Sequence, residues 1–355
     1  MPKIQAVGTA LPSYKVSQEE CKAFMLNLYG EVYDKKQDRL LEIVDHTAID
    51  SRYFCVPAEW FAVSRSFEEK NNLYIEEGLK LSERAIENVL QDAGIDYGDI
   101  DCILFVSTTG LSTPTMDARL IHRLPFRKDV RRLPIWGVGC AGGAAALAWA
   151  MQLAKAQPTQ NILIVVLELC GLTFVRNDLS KAAMISSALF ADGAAAVLVT
   201  GDKVRLPNSA ACPCLLDSAT QTLPNSLDIM GWQFGEYGFK VLLSRNVPEI
   251  VQTFLKDVID KFLQKKNLRF SDIKHFITHP GGKKVLDAYE AIGILPEQLE
   301  HARAVLRECG NMSAATVLFI LKRFLESFPD EKDAFGIVTA LGPGFSAELV
   351  LLHWD

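Results

Sequence analysis

Three residues of this 355-residue chain are of types that together can carry out nucleophilic catalysis by a thiol: Cys140, His279 and Asn311. Cys140 lies in the segment GVGCAGG, which begins at Gly137 and leads into a small, helix-forming run ending near Ala156. A thiol at a helix N-terminus meets free backbone N–H groups and the positive end of the helix dipole, both of which favour an anion. A lowered thiol pKa and a good nucleophile at neutral pH are therefore expected of Cys140. Against this stands the general tendency of free cysteine to be a buried structural residue. The flanking glycines weigh toward function, because they let substrate or backbone approach closely. His279 ends the apolar run of KHFITHPGG, ahead of a Pro-Gly-Gly turn and a helix. Asn311 follows Gly310 at the start of another small-then-apolar helix. Cysteine nucleophiles are commonly paired with a His, and the partners can lie far apart in sequence.

Such residues need rigid elements to bring them together. Strand-like runs occur at Ile4–Thr9, Cys102–Ser107, Ile162–Leu169, Ala194–Thr200, His275–Thr278, Phe335–Ala340 and Ala347–His353. Helical patterns lie between them, at Gln18–Tyr29, Glu68–Ala93, Met116–Arg123, Ala141–Ala156, Ser180–Leu189, Val247–Lys266, Lys283–Ile292, Pro296–Glu308 and Met312–Phe328. This alternation predicts an α/β architecture with mostly buried sheets. The two halves are alike in outline, each with a glycine-flanked polar residue opening a small-residue helix and each ending in a buried strand. An internal duplication is expected, with halves 1–205 and 206–355 and one site at their junction. The boundary is expected in a loop between Gly201 and Asn225, a stretch rich in Pro, Ser, Thr and Asn.

Composition narrows the function classes. Nearly half the residues are apolar and the net charge is −6. That describes a globular chain with ample core and no clustered basic face for nucleic acid. The mixed charges at 127–132 read as a solvated loop. No signal peptide and no membrane span are expected. Eight scattered cysteines without CxxC pairs suit a reducing cytoplasm. Cys212-Pro213-Cys214 lacks the second ligand pair a zinc site needs, so no metal is expected.

Beyond the three residues, GCAGG around Cys140, LFADGAAA from Leu189, HPGG from His279, GNMSAATVLFIL from Gly310 and GPGF from Gly342 run along almost the whole chain. With these motifs the chain resembles the thiolase-fold condensing enzymes, and among them the type III polyketide synthases, the family of chalcone synthase and its bacterial relatives. The resemblance implies a thiolase-like α/β fold of duplicated αβαβα layers. It also implies an enzyme that loads an acyl-CoA starter and extends it with malonyl-CoA, as a homodimer and without metal or redox cofactor.

Carried onto this sequence, the resemblance makes Cys140 the acyl-carrying nucleophile, and His279 and Asn311 the pair that stabilises the malonyl-derived enolate. Phe190 and Phe239 are similar to the family's two gatekeeper phenylalanines. Ser313 and the loop Gly342, Pro343, Gly344, Phe345 are similar to cavity-lining positions. Thr113 stands where chalcone synthases carry Met, and Cys170 where they carry Thr, while Thr173 is retained. In the helix that receives coenzyme A, three basic side chains of the plant enzymes align with Arg39, Glu42 and His46, leaving Arg39 and His46 to bind it. The smaller Thr113 and the changed Cys170 point to room for a fatty acyl starter and an alkylpyrone or alkylresorcinol product. The other readings are a β-ketoacyl synthase that stops after one extension, a Cys–His thioester hydrolase, and a catalytically silent scaffold of the same fold.

Overall fold

The computed structural model describes residues 1–29, 42–206, 212–328 and 331–354; Arg39 lies outside them. Thirteen strands occur among the described residues. Nine of them form one sheet: β1 (Lys3–Ala10), β4 (Cys102–Val106), β5 (Arg131–Ile135), β6 (Asn161–Leu169), β7 (Asp192–Thr200), β8 (Cys214–Thr222), β11 (Ile273–Thr278), β12 (Ala334–Gly342) and β13 (Ser346–Trp354). Their spatial order is β11-β12-β13-β8-β1-β7-β6-β4-β5. Two ribbons complete the set, β2 (Tyr14–Ser17) with β3 (Ser51–Phe54), and β9 (Met230–Gly235) with β10 (Gly238–Leu243).

The sheet is two half-sheets joined at a narrow seam. Strands β1 and β8 share one register pair, Lys3 with Cys214. Bonds from Ile4 N to Pro213 O at 3.1 Å and from Leu215 N to Pro2 O at 2.9 Å flank it. Every residue of β4 and β7 is buried, and so are nearly all of β6, β12 and β13. Their sequences are therefore near-continuous apolar runs rather than alternating ones, as helices on both faces require.

Helix α2 (Phe67–Ala93) covers the outer face of β1, β7 and β6. Its start is fixed by a capping box, in which the Ser66 side chain accepts from Glu69 N while the Glu69 side chain accepts from Ser66 N. Between the half-sheets lie α4 (Gly142–Ala156), which packs on both β6 and β13, and α9 (Thr316–Ser327), which packs on both β1 and β11. A helical stretch at 247–264 with a π-turn at Val251–Leu255, and helix α7 (Lys283–Ala291), join a hydrophobic core that runs through both halves. This is the expected duplicated α/β architecture of layered helices and sheets.

Some local expectations need correction. The stretch 201–225 is not all loop: β8 occupies Cys214–Thr222, pairing antiparallel with β13. Its polar residues from Asp217 onward lie on a half-exposed part of the strand, so Ser and Thr there do not signal a turn. The charge run at 127–132 ends in β5, which among the described residues is an edge strand paired with β4 alone. Pro134 is tolerated because an edge strand has one unpaired side.

Candidate active site

Cys140 sits in a 3₁₀ turn, Gly139–Ala141, immediately before α4. Gly139 has φ +54°, and a Cβ there would come within 2.6 Å of the Pro343 ring. Gly342–Phe345 thus forms a lid over the Cys140 turn. Phe345 is fully buried, and its N–H donates to Ser226 Oγ at 2.6 Å. On the other side, Gly143 packs against Ala314, where a Cβ would lie 2.4 Å from the carbonyl oxygen. This brings the start of α4 against the 3₁₀ turn Ser313–Ala315, which opens α9.

Ser313 links two of the three candidate residues. The Cys140 thiol lies 3.5 Å from Ser313 Oγ, and Ser313 N donates to Asn311 Oδ1 at 2.8 Å. Ser313 has φ +48°, a conformation that costs a non-glycine residue on the order of 1 kcal/mol. The Asn311 side chain also donates from Nδ2 to Gly281 O at 2.8 Å, reaching the turn after His279. A second Nδ2 proton remains for another acceptor. The Asn311 backbone is held by a bridge to Phe190, with Asn311 N bonded to Leu189 O and Ala191 N to Asn311 O.

His279 is 4% exposed, and neither ring nitrogen has a hydrogen-bond partner. Its backbone is tied on both sides, N–H to Thr339 O and carbonyl from the Tyr289 hydroxyl. Burial lowers its pKa to about 4, so the imidazole is neutral at physiological pH. A buried, unsatisfied polar group costs on the order of 1–3 kcal/mol and persists where function uses it.

The expected low pKa of Cys140 is overturned. Burial pushes the thiol up to about 11, with Ser313 pulling it down and Glu168 pushing it further up. Desolvation of a buried thiol outweighs the helix field, and the α-helix proper begins two residues later, at Gly142. The sulfur's hydrogen-bond contact is with Ser313 rather than with His279.

Glu168 is a further buried group near the site that the motifs did not indicate. Its carboxylate accepts from Thr108 N at 3.1 Å and Thr109 Oγ1 at 2.9 Å, while the Thr108 hydroxyl accepts from Gly139 N. The signal was a lone acid inside the apolar strand ILIVVLEL. Burial raises its pKa to about 8, against the pull of Thr108, Thr109 and Ser313. A raised carboxyl pKa gives stability that is complete below the unfolded pKa and is lost as pH rises through the folded one. His279, with its lowered pKa, has the opposite sign: its contribution is present above about 6.5 and lost as pH falls through about 4. Between pH 6.5 and 8, therefore, Glu168 sets the trend; at higher pH the buried cysteines, whose thiol pKa values are also raised by burial, add their own loss. Wild-type stability should fall by about 2 kcal/mol across that window, and Glu168→Gln should flatten the curve. Urea unfolding at several pH values measures it; an equal decline in both proteins would remove Glu168 as the cause.

Beside this cluster lies an apolar cavity of about 830 Å³, counted with its open mouth. Cys170, Thr173 and Phe190 line it. Phe174, Trp232 and Val241 join them, with Cys21 and Phe24 from α1 (Gln18–Tyr29) and Phe54 from β3. Cys170 is close enough for Cys140 to raise its pKa, which places this end of the cavity beside the candidate nucleophile. Arg52, 3% exposed, fixes the wall by donating to Ser187 O at 2.7 Å and Phe190 O at 2.8 Å. Asp192 accepts from Cys55 N and Gly171 N, pinning β3 to the Cys170 turn.

Other expected lining residues lie elsewhere. Phe239 packs among Phe67, Trp232 and Phe234, and Val241, two residues on along the same strand, lines the cavity instead. Thr113 is exposed beside Pro114 and is not part of the cavity lining. Ser313 and Gly342–Phe345 contact the Cys140 turn, not the large cavity. His46 is exposed, with Nδ1 2.6 Å from Glu42 O. Among the described residues, no group of three or more His, Cys, Asp or Glu is placed to hold a metal ion.

The signature of chalcone and stilbene synthases, N-terminal domain, matches residues 2–203, and that of their C-terminal domain matches residues 215–354. The chain belongs to the chalcone and stilbene synthase family. A putative chalcone synthase of Bacillus subtilis (strain 168) is 42% identical to this synthase, over 100% of the chain and 99% of the relative. A 1,3,6,8-tetrahydroxynaphthalene synthase of Streptomyces peucetius subsp. caesius is 34% identical, over 99% of the chain and 93% of the relative. The crystal structure of the 1,3,6,8-tetrahydroxynaphthalene synthase of Streptomyces coelicolor A3(2), a bacterial type III polyketide synthase, superposes with a TM-score of 0.91 at 28% identity and covers 99% of both chains. The synthase is accordingly a type III polyketide condensing enzyme, an acyltransferase that extends chains by Claisen-type condensation. Among its described residues, no helix is long and apolar enough to cross a membrane.

Proposed function

We propose that this synthase loads a fatty acyl group from acyl-CoA onto Cys140 and extends it with malonyl-CoA to an alkylpyrone or alkylresorcinol. The observation that carries the catalytic assignment is His279: a buried neutral imidazole with both ring nitrogens unpartnered, joined to Asn311 through the 279–281 turn. In the first step the Cys140 sulfur attacks the thioester carbonyl and coenzyme A leaves with the proton. Malonyl-CoA then loses CO₂, and the remaining electron pair becomes a thioester enolate. One ring N–H of His279 and the free Nδ2 proton of Asn311 donate to the enolate oxygen. The enolate carbon attacks the acyl–Cys140 carbonyl, the C–S bond breaks, and a β-ketoacyl-CoA extended by two carbons results. Decarboxylation supplies the carbanion, so no strong base is needed.

The starter assignment rests on the cavity. Its wall is mainly aromatic and aliphatic, the lining that an alkyl chain requires. Each buried methylene adds up to about 0.8 kcal/mol, so a few extra carbons should change starter binding by more than tenfold. Cys170→Phe should block the cavity and shift preference from long to short acyl-CoAs, with malonyl-CoA decarboxylation intact. Mass spectrometry of products from acyl-CoAs of graded length reads this out. An unchanged length profile in a variant that still decarboxylates would refute the fatty-acyl assignment.

The same proposal includes a homodimer working in the cytoplasm, where both thioesters are available. The unpaired edge of β5, with Leu133 and Trp136 exposed near it, supports pairing of two copies.

A further inference from the structure

We propose that the synthase carries a second ligand site, for a compact phosphate-class dianion, in a cationic cleft that backs onto the apolar cavity. The cleft measures about 470 Å³ with its open side, and its wall includes Ser64, Arg65, Lys70, Arg176, Asn177 and Tyr237. Phe174 and Val175 line both this cleft and the apolar cavity.

The charges in the cleft do not balance. Lys70, in the first turn of α2, is 7% exposed. Its ammonium donates to Phe174 O at 2.6 Å and Tyr237 O at 3.4 Å, which leaves one of its three N–H donors over. No carboxylate pairs with it among the described residues. Arg65 reaches one carboxylate, Glu69 at 3.4 Å, and that acid is already bonded to Ser66 N and Oγ. Arg65 Nε is buried and has no partner. Arg176 is exposed and forms no ion pair among the described residues. Of the acids next in sequence to the lining residues, Asp178 is paired with Lys240 at 3.3 Å, and neither it nor Glu59 nor Glu236 is among the residues that line the cleft. Three cations therefore face one shared carboxylate, with Ser64 and Asn177 as neutral donors beside them. A buried ammonium without a counter-charge is costly, and burial does lower the Lys70 pKa. A phosphate group, with a charge of about −1.5 to −2 at neutral pH and several acceptor oxygens, matches both the surplus charge and the surplus donors.

That phosphate has two sources, free inorganic phosphate and the phosphates of coenzyme A. Broadening of ³¹P resonances is measured on the whole enzyme with inorganic phosphate in one arm and adenosine 3′,5′-bisphosphate in the other. Arg176→Glu reverses an exposed charge without disturbing packing. It should weaken binding about tenfold or more in the arm that contains the true ligand. Lys70→Met should do the same, and Lys70→Arg should retain binding, with thermal melts reporting folding. Loss in the inorganic phosphate arm assigns a free anion; loss confined to the bisphosphate arm assigns coenzyme A. If Arg176→Glu binds both probes as wild type does, or if wild type binds neither, the proposal is overturned.

Discussion

Cys140→Ala should form no acyl-enzyme from any acyl-CoA, and condensation should fall by roughly 10⁴-fold or more, because removing a nucleophile removes the covalent path altogether. Intact-protein mass spectrometry after acyl-CoA exposure measures the loading. Malonyl-CoA decarboxylation should survive in the same variant, since its donors lie on His279 and Asn311. The resting thiol adds a pH signature. With its pKa raised to about 11 by burial, Cys140 should be alkylated by iodoacetamide slowly at pH 7, and about tenfold faster per pH unit up to that pKa. A rate that levels off near pH 7 would mean that an imidazolium stabilises the thiolate. An acylated Ala variant would end the assignment of Cys140.

Asn311→Ala should lose roughly 10²–10³ in malonyl-CoA decarboxylation while still forming acyl–Cys140. Asn311 bears no charge that could activate the thiol, but its Nδ2 supplies one of the two donors proposed for the enolate. Asn311→Asp separates donation from packing, because it keeps the acceptor to Ser313 N and loses the donors. It should decarboxylate no better than the Ala variant. His279→Ala removes the other donor and should cost a similar factor. Wild-type decarboxylation by a folded Asn311→Ala enzyme would take Asn311 out of the mechanism.

What could be read from the chain followed from how local each signal is. Cys140, His279 and Asn311 are each marked by adjacent glycines and by a change from strand or loop to helix, all within a few residues. The buried strands announce themselves as apolar runs. The cavity wall carries no such mark, because α1, β3, the 170–190 segment and β10 come together only in the fold. Alternation along β10 puts Phe239 and Val241 on one face, and only tertiary packing decides which of them meets the cavity. For Cys140 the helix-terminal position is visible in the sequence, whereas the depth of burial that raises its pKa is not. Arg52 stands among polar residues and reads as surface, yet its guanidinium holds three groups inside the protein: Ser187 O, Phe190 O and the Cys21 sulfur.

The contact of Gly143 with Ala314 has a consequence for how such enzymes diversify. It locks the turns bearing Cys140 and Asn311 into one body, with no space for a side chain between them. The cavity wall is drawn mainly from α1, β3, the 170–190 segment and β10, none of which supplies Cys140, His279 or Asn311. Reaction and substrate choice are thus written on separate stretches of chain. Mutation can remodel the second without retuning the first, so one catalytic engine can be fitted to different starters. A library confined to the wall should yield new product profiles at a far higher frequency than one aimed at the central helices.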